Sequence, residues 1–371
     1  FLLDRETGKP LFKVNETPVE TKSELAGEEP WPTQPIPTLP VPYARQTLTE
    51  KDINPYLSDS SKAEVLRRLK TYRYGNMFLP PGKIPSLIFP GFDGGAEWGG
   101  PAFDPSTGIL YINANEMAWV MTMIDAKQEA PKSETFSMAG QRLFTNNCMG
   151  CHGQDRKGTG YYPSLINIGS KYKDDQISTL LQTGRRMMPS FKQLSNQESQ
   201  AIISYITENK NTGISAFVAE HKAVDPYLDI PYQMTGYNKF LSKEGYPAIS
   251  PPWGTLNAVD LNTGKMVWRI PLGNDSTFEK VAKTPTGTEN YGGPVVTAGG
   301  VIFIAATKDG KIRAFNKRNG QLIWEAKLPA PGFATPAVYE MDGREYLVVA
   351  CGGGKLGTKS GDSYVAFALP K

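Results

Sequence analysis

The chain has 371 residues, 39% of them hydrophobic, which is enough to form ordinary cores and more than one average domain requires. Its formal net charge is only +3, with no basic run long enough to follow a phosphate backbone, so nucleic acid is excluded as a partner. No window approaches the roughly 20 consecutive apolar residues that a membrane span requires, so no membrane span is expected.

The chain begins with FLLDRETGKP, which enters a strand and turn directly, without the basic and apolar regions of a signal peptide. We therefore expect Phe1 to be an internal position of a longer protein. The stretch also contains the first of four similar patterns, which begin at Leu3, Phe103, Val259 and Phe315. In each pattern an Asp or Asn precedes a Gly by four positions, and an apolar strand is expected to follow. Such β-hairpins, repeated over tens of residues, predict a radial array of sheets, with a propeller as the leading case.

A proline-rich stretch extends from about Thr17 to Tyr56 and includes EEPWPTQPIPTLPVP. We expect an extended surface connection without regular ladders, because proline has no backbone N–H to donate. The following segment, SDSSKAEVLRRLKTY, predicts one short helix with Ser or Asp at its start. Its buried face is predicted to contain Val65, Leu66, Leu69 and Tyr72.

Further strands are predicted in PSLIF near Leu87, in GVIFIAA from Gly300, in REYLVVAC from Arg344 and in the final SYVAFALP. Together with the hairpins they amount to about three or four propeller blades. Cys351 follows one of these apolar strands. We interpret it as a small buried thiol rather than a reactive one.

The hydrophobic period changes from 2 to 3.6 between about Ser133 and Gly213, which predicts a helical insert. Residues 137–146 are expected to form a helix with Leu143 and Phe144 facing inward. Ser195 and Glu198 form a capping box that opens a second helix. The buried face of this second helix is predicted to contain Ile202, Ile203 and Ile206.

The insert contains the motif Cys148-Met-Gly-Cys151-His152. Two cysteines at this spacing can each form a thioether to a haem vinyl group, and the histidine is then an axial ligand of the iron. A redox dithiol would be expected in a βαβ setting, and a zinc site would need a second ligand pair, for which only His221 and Cys351 remain. The motif therefore predicts covalently bound haem c.

The segments GQRLFTNNCMGCH, GTGYYPSLINIG and GRRMMPSFKQLSNQE make the insert resemble a small class I cytochrome c. In that family the methionine directly before a proline is the distal iron ligand. The resemblance therefore implies Met188 for this role, with Met187 as the alternative.

The same resemblance assigns supporting roles around the haem. It implies that the carbonyl of Pro163 lies near the Nδ1 proton of His152 and that Leu165 packs on the haem. Gly140 and Phe144 match the positions where the two terminal helices of such a cytochrome cross.

The rest of the chain resembles the C-terminal part of a quinoprotein glucose dehydrogenase. The resemblance is carried by EWGGPAFDPSTGILYINANEM, PPWGTLNAVDLNTGKMVW, YGGPVVTAGGVIFIAATKDGKIRAFNKRNGQLIW and GTKSGD. That family is an eight-bladed β-propeller that binds pyrroloquinoline quinone (PQQ) on its axis with a divalent ion such as Ca²⁺. The expected fold is therefore mainly β, part of an eight-bladed propeller with an inserted small all-α cytochrome c domain. The expected limits are propeller blades over 1–126, the cytochrome over 127–223 with its core at 133–213, and further blades over 224–371.

The resemblance matches Asn115 in NANEM to an asparagine that contacts the quinone and Asp309 in TKDGKIRAF to an aspartate near it. The alternatives are a loop-capping role for Asn115 and a simple turn role for Asp309. The tryptophans Trp98, Trp253, Trp268 and Trp324 are interpreted as blade packing. The family's catalytic base, an aspartate, and a quinone-polarising lysine both precede the position matched by Phe1, so no catalytic base and no other metal ligand are assigned in this chain.

These features predict the C-terminal portion of a PQQ-dependent sugar or alcohol dehydrogenase that passes electrons to an internal haem c and then to a cytochrome or a quinone pool. With its N-terminal blades missing, the chain alone is expected to be inactive. The alternative is a non-catalytic propeller scaffold that carries a cytochrome c electron-transfer module. Thioether attachment of haem takes place outside the cytoplasm, which predicts a periplasmic or other extracytoplasmic location.

Overall fold

A computed structural model describes residues 1–75, 77–126, 133–158, 162–209, 214–218 and 230–369. The chain forms two compact units. The β unit comprises Phe1–Pro80, Ser86–Val120 and Lys239–Lys371, and the helical unit comprises Pro81–Pro85 and Met121–Asn238. The expected limits at 127, 213 and 223, together with His221, lie outside the described residues. Within the described ranges, every helix is too short or too polar to cross a bilayer.

The secondary structure is mainly β, as predicted. The strands are β1 (Val14–Pro18), β2 (Thr33–Pro37), β3 (Ser86–Ile88), β4 (Ala102–Asp104), β5 (Ile109–Asn115), β6 (Trp119–Met121), β7 (Met123–Asp125), β8 (Glu134–Thr135), β9 (Ala216–Phe217), β10 (Tyr232–Met234), β11 (Asn238–Lys239), β12 (Gly254–Asp260), β13 (Lys265–Pro271), β14 (Val295–Val296), β15 (Val301–Ile304), β16 (Lys311–Asn316), β17 (Leu322–Lys327), β18 (Ala337–Met341), β19 (Arg344–Gly353) and β20 (Ser360–Ala368). The α-helices are α1 (Asp59–Leu69), α2 (Phe136–Asn147), α3 (Met149–His152), α4 (Asp174–Thr183) and α5 (Asn196–Thr207).

Three antiparallel sheets organise the β unit, in the strand orders β13-β12-β5-β4, β14-β15-β16-β17 and β18-β19-β20. The first sheet contains two strands that precede the helical unit in the chain, β4 and β5, and two that follow it, β12 and β13. β5 pairs with β12, which places Asn115 opposite Gly254. Buried apolar side chains from the first and second sheets form one cluster, and those from the second and third sheets form another. Four-stranded sheets packed in chain order have the form expected for propeller blades.

The four predicted hairpin turns are present. In each, the side chain of the opening Asp or Asn accepts a hydrogen bond from the N–H two residues later, at 2.9 to 3.2 Å. The closing glycines Gly8, Gly108, Gly264 and Gly320 have φ between 70° and 74°, where a side chain would be strained. The first turn does not lead into a strand. It is closed by an isolated bridge between Leu3 and Pro10 and by the hydrogen bond from Asp4 N–H to Lys9 O (2.8 Å), and Pro10 itself has no N–H to donate to a ladder.

The expectation that the proline-rich stretch lacks a regular ladder is wrong for β2. β1 and β2 form an antiparallel ladder in which Glu16 faces Pro35 and Val14 faces Pro37. The two prolines are two positions apart, so the nitrogens of both face away from the partner strand, and the intervening Ile36 can bond to it. Proline at alternate positions is compatible with such a two-stranded edge.

The interpretation of the tryptophans as blade packing is confirmed for three of the four. Trp253 is buried, the Nε1 of Trp268 donates to Lys317 O (3.1 Å), and the ring of Trp324 contacts that of Phe367 edge-on at 5.2 Å. Trp98 is different, because 97% of it is exposed. Cys351 is fully buried among the apolar residues between the second and third sheets, as predicted.

The predicted helices are present, but α1 ends at Leu69, so Tyr72 lies beyond it, and Leu66 and Tyr72 are only half-buried. α1 begins after Ser58, whose side chain accepts from the Ser61 N–H, and it buries Val65 and Leu69. α5 begins with the capping box of Ser195 and Glu198.

The predicted crossing of the two terminal helices of the insert at Gly140 and Phe144 is also confirmed. A Cβ atom on Gly140 of α2 would lie 2.1 Å from the carbonyl oxygen of Ala201 in α5, and the rings of Phe144 and Tyr205 lie 5.5 Å apart. Two short antiparallel ladders, β7 with β10 and β8 with β9, accompany the helices of this unit.

Candidate functional site

The helical unit encloses a cavity of about 650 Å³. This volume lies in the range of roughly 300 to 1,000 Å³ that is typical of cofactor sites. The cavity is lined by all of the residues to which the sequence assigns a role at a haem, namely Cys148, Cys151, His152, Pro163, Leu165 and Met188. The structure therefore brings together residues that are up to 40 positions apart in the sequence, between Cys148 and Met188.

The turn of helix at α3 presents both cysteines and the histidine to the cavity. α2 ends at Asn147, and the carbonyl of Cys148 accepts hydrogen bonds from the N–H groups of Cys151 (3.2 Å) and His152 (2.9 Å). Residues three and four positions apart share one face of a helix. The C-x-x-C-H spacing thus places two sulfur atoms and one imidazole on the same side.

The imidazole of His152 is held in one tautomer. Its Nδ1–H donates to the carbonyl of Pro163 at 2.9 Å, as the sequence resemblance implies. Burial lowers the pKa of His152, although the hydrogen bond to Pro163 acts in the opposite direction. The ring is therefore neutral at pH 7, with an unprotonated Nε2, which is the form that binds metals.

Both thiols of the motif are held protonated. Burial, followed by the influence of Cys151, raises the pKa of Cys148 to about 12. Burial also raises the pKa of Cys151, against the lowering effect of a hydrogen bond with Tyr162. Reactive dithiols have lowered thiol pKa values because the thiolate is the nucleophile. The environment of these cysteines is therefore unlike that of a redox dithiol.

The two candidate methionines are adjacent residues in one tight turn. Arg185 and Met188 exchange both backbone hydrogen bonds, at 2.9 and 3.0 Å, so their side chains leave the backbone on the same face. Met188 packs against the core of the helical unit, whereas 73% of Met187 is exposed. Both methionines line the cavity, and the packing of Met188 favours it as the ligand.

Arg185 shares the cavity with a tyrosine. Its Nη1 donates to the hydroxyl oxygen of Tyr172 at 3.0 Å, and both residues line the cavity. Arg186, the next residue, occupies the turn with a φ of 55°. No local pattern in the sequence distinguishes Arg185 or Tyr172, because their relation depends on the turn.

The second candidate site is a buried polar network in the β unit around Asn115. The Asn115 side chain donates to Asn290 O (3.0 Å) and accepts from Asn290 N (2.8 Å), and it is only 2% exposed. The neighbouring Glu116 is ion-paired with Arg45 and is also buried. Asn115 thus holds a loop from a different sheet in place. This is a structural role, like the loop-capping role given above as the alternative to contact with the quinone.

Asp309 lies in the same unit and is also fully engaged. Its carboxylate is ion-paired with Arg313 and accepts hydrogen bonds from the Thr307 hydroxyl (2.6 Å) and the Asn274 N–H (3.0 Å). Burial raises the pKa of Asp309, but the bonds from Arg313 and Thr307 outweigh it and hold the pKa below its usual value. Asp309 is therefore an ionised side chain that joins two loops.

A further pair in the β unit was not found from the sequence. The hydroxyl of Tyr291 donates to Oδ1 of Asp93 at 2.7 Å, and Lys355 lies with its Nζ 3.5 Å from the centre of the Tyr291 ring. Asp93 sits in PGFDGG, which reads as an ordinary turn. Only its contact with a tyrosine almost 200 positions away distinguishes it, and no local pattern carries that information.

Glu97, in the same loop, should make stability depend on pH. Burial, and then the nearby charge of Asp93, raises the pKa of Glu97 to about 7, from an ordinary value of 4.5. The folded state then binds the proton more tightly than the unfolded state, so stability should fall as the pH rises from about 4.5 to 7. Glu97→Gln should flatten this slope in thermal unfolding measured at several pH values. An unchanged slope would contradict the assignment.

The comparisons with known proteins agree with the architecture of the β unit. The sequence model of one family, described as "PQQ: Glucose/ethanol/alcohol dehydrogenase, beta-propeller domain", matches residues 1–157 and 154–347. The whole chain is 29% identical over 381 residues to the quinate/shikimate dehydrogenase (quinone) of Acinetobacter baylyi and covers 37% of it. It is 29% identical over 376 residues to the quinoprotein glucose dehydrogenase of Escherichia coli, with 37% of that protein covered.

The quinoprotein glucose dehydrogenase A of Acinetobacter calcoaceticus is 30% identical over 384 residues, and again all of this chain and 37% of the relative are covered. The chain thus spans little more than a third of the length of these relatives. Because the family model matches well over half of the residues, the chain belongs to the β-propeller family of PQQ-dependent glucose, ethanol and alcohol dehydrogenases.

Proposed function

We propose that the chain is a portion of a quinohaemoprotein dehydrogenase that oxidises a sugar or an alcohol with PQQ and passes the electrons to an internal haem c. The observation that carries the proposal is the convergence of two cysteines, a neutral histidine and a methionine on one cavity. This cavity occurs in a chain that belongs to a PQQ-dependent family. The proposal assigns the cytochrome to 127–223, with its core at 133–213.

The residues of the cavity fit a haem c. Cys148 and Cys151 would hold the haem by thioethers, and His152 and Met188 would be its axial ligands. Pro163 fixes the histidine ring through the Nδ1–H bond, and the buried apolar residues of the helical unit would keep water away from the iron. When bound, a haem with these ligands accepts and passes on one electron at a time.

The turn that holds Met188 also supplies a cation for the haem carboxylates. Arg185 faces the same side as Met188 and is fixed by Tyr172, so this pair would bind a haem propionate. The positive charge of Arg185 would also disfavour oxidation of the iron, which adds a further positive charge.

Arg185→Gln is accordingly expected to lower the haem reduction potential by on the order of tens of millivolts. Arg186→Gln is the matched control, since it removes the same charge from the adjacent turn position. A redox titration followed in the visible spectrum measures both variants. Equal shifts in the two variants would contradict the assignment of Arg185.

In the β unit, the two residues that the resemblance places near PQQ would support its site indirectly. Asn115 and Asp309 would act by holding the Asn290 and Asn274 loops in place, since their polar groups already bind protein atoms. Asp93 differs, because its Oδ2 is buried and no described residue hydrogen-bonds to it. When bound, with a divalent ion such as Ca²⁺, PQQ takes two electrons and two protons from an alcohol or aldose.

The test uses the full-length protein. A pyridine haemochrome spectrum should reveal one haem c per chain, and the Cys148→Ser, Cys151→Ser double variant should contain none. Stopped-flow spectra after addition of PQQ and a substrate from a sugar and alcohol panel should then show haem reduction. A wild-type protein without covalent haem, or with a haem that stays oxidised during turnover, would refute the proposal. By the same proposal the mature protein works outside the cytoplasm and delivers electrons to a cytochrome or a quinone pool.

A further inference from the structure

The loop 91–100 of the β unit is attached to the polar network through Asn115. The Asn115 N–H donates to Gly95 O at 2.7 Å, while its side chain fixes both backbone groups of Asn290. Tyr291 follows Asn290 directly. A single residue thus positions the two segments that carry Asp93 and Tyr291.

Asp93 has one satisfied and one unsatisfied oxygen. Oδ1 accepts the 2.7 Å hydrogen bond from Tyr291, but Oδ2 is buried and no donor among the described residues reaches it. A buried polar atom without a partner is unfavourable by about 1 to 3 kcal/mol. Such an atom beside a network in which most groups are paired indicates a position that a ligand completes.

The surroundings of Asp93 restrict what that ligand can be. Glu289 places negative charge nearby, and Lys239 is already ion-paired with Glu289. An anionic group would be repelled, and an apolar group would leave the oxygen unsatisfied. A neutral hydroxyl group can donate to Oδ2, while Lys355 over the Tyr291 ring balances the charge of the carboxylate.

We propose that Oδ2 of Asp93 binds a non-reacting hydroxyl group of a polyhydroxy substrate, a polyol or a sugar, and that Tyr291 positions the carboxylate for this contact. The inference rests on the proposed dehydrogenase function and narrows its substrate class. A substrate with several hydroxyl groups gains from the site, whereas a monohydric alcohol has no second hydroxyl to place there.

Steady-state kinetics of the full-length, PQQ-loaded Asp93→Asn variant test the proposal, because asparagine keeps an acceptor for Tyr291 and removes the anionic oxygen. For the best polyol or sugar of a substrate panel, KM should rise roughly tenfold to hundredfold, as for loss of a charge-assisted hydrogen bond, with kcat within about twofold. Asp260→Asn, in a hairpin turn of the same unit, is the matched control and should leave both constants unchanged. An unchanged KM, a loss confined to kcat, or a loss of PQQ binding would overturn the proposal.

A binding measurement separates this inference from the dehydrogenase function. The carboxyl ¹³C resonance of Asp93, assigned by its absence in Asp93→Asn, should shift when the polyol is added, whether or not turnover occurs. Turnover without such a shift would refute the hydroxyl site but not the dehydrogenase function. A shift without turnover on any substrate would leave the hydroxyl site standing and refute the dehydrogenase.

Discussion

Under the proposed haem assignment, Met188→Ala is expected to leave the haem attached but to remove its distal ligand. The proposed thioethers at Cys148 and Cys151 and the proposed ligand His152 do not depend on Met188, so the haem content should stay the same. The iron should become high-spin, and its reduction potential should fall by on the order of 0.1 V or more, because a thioether ligand stabilises the reduced iron. Visible spectra and a redox titration of the purified protein measure both effects.

Met187→Ala is the matched control, one position earlier in the same turn. Since 73% of Met187 is exposed and Met188 packs against the core, this variant should keep the low-spin spectrum and a potential close to that of the wild type. A high-spin spectrum for Met187→Ala, with a normal spectrum for Met188→Ala, would reverse the ligand assignment.

Gly140→Ala is expected to destabilise the helical unit by about 2 kcal/mol. The new Cβ would lie 2.1 Å from Ala201 O, a backbone atom that no side-chain rotation can move, so α2 and α5 would have to separate. Overpacking of this severity costs about 3 kcal/mol, and the better helix propensity of alanine offsets about 1 kcal/mol of it. Denaturant unfolding followed by circular dichroism at 222 nm reports the change, because four of the five α-helices among the described residues belong to the helical unit.

Gly169→Ala serves as the control for this prediction. Its Cβ would be 3.4 Å from the Thr207 Cβ, which is ordinary van der Waals contact, so stability should change little. Equal stability of the two variants would mean that the helices do not cross at Gly140.

Features fixed by local chemistry were predictable from the sequence. The opening Asp or Asn and closing Gly of each hairpin turn satisfy their own backbone within a few residues, and the same holds for the Ser195 and Glu198 capping box. The residues of the proposed haem site could be recognised in the sequence for a different reason. The C-x-x-C-H motif and the Met-Pro pair occupy short, recognisable segments, although the cavity that unites them is a tertiary feature.

Other features depend on contacts that no local pattern encodes. The β1–β2 ladder exists because Pro35 and Pro37 happen to be in phase with the outward-facing positions of the strand. The Asp93–Tyr291 contact depends on Asn115 joining two loops that are far apart in the chain. Trp98 looked like the other tryptophans in sequence, and only its surroundings distinguish it.

The pairing of β5 with β12 across the inserted unit has a consequence for how the chain reaches its native state. To form this sheet, the chain must close a loop of about 140 residues, and the entropy cost of closure grows with the logarithm of loop length. The ladders β7–β10 and β8–β9 join the entering and leaving segments of the inserted unit, so folding of that unit shortens the effective loop. With β7 paired to β10, the remaining loop is about 28 residues, a little over two halvings, which lowers the closure cost by about 1.4 kcal/mol. Folding of the inserted unit thus favours formation of the blade that it interrupts.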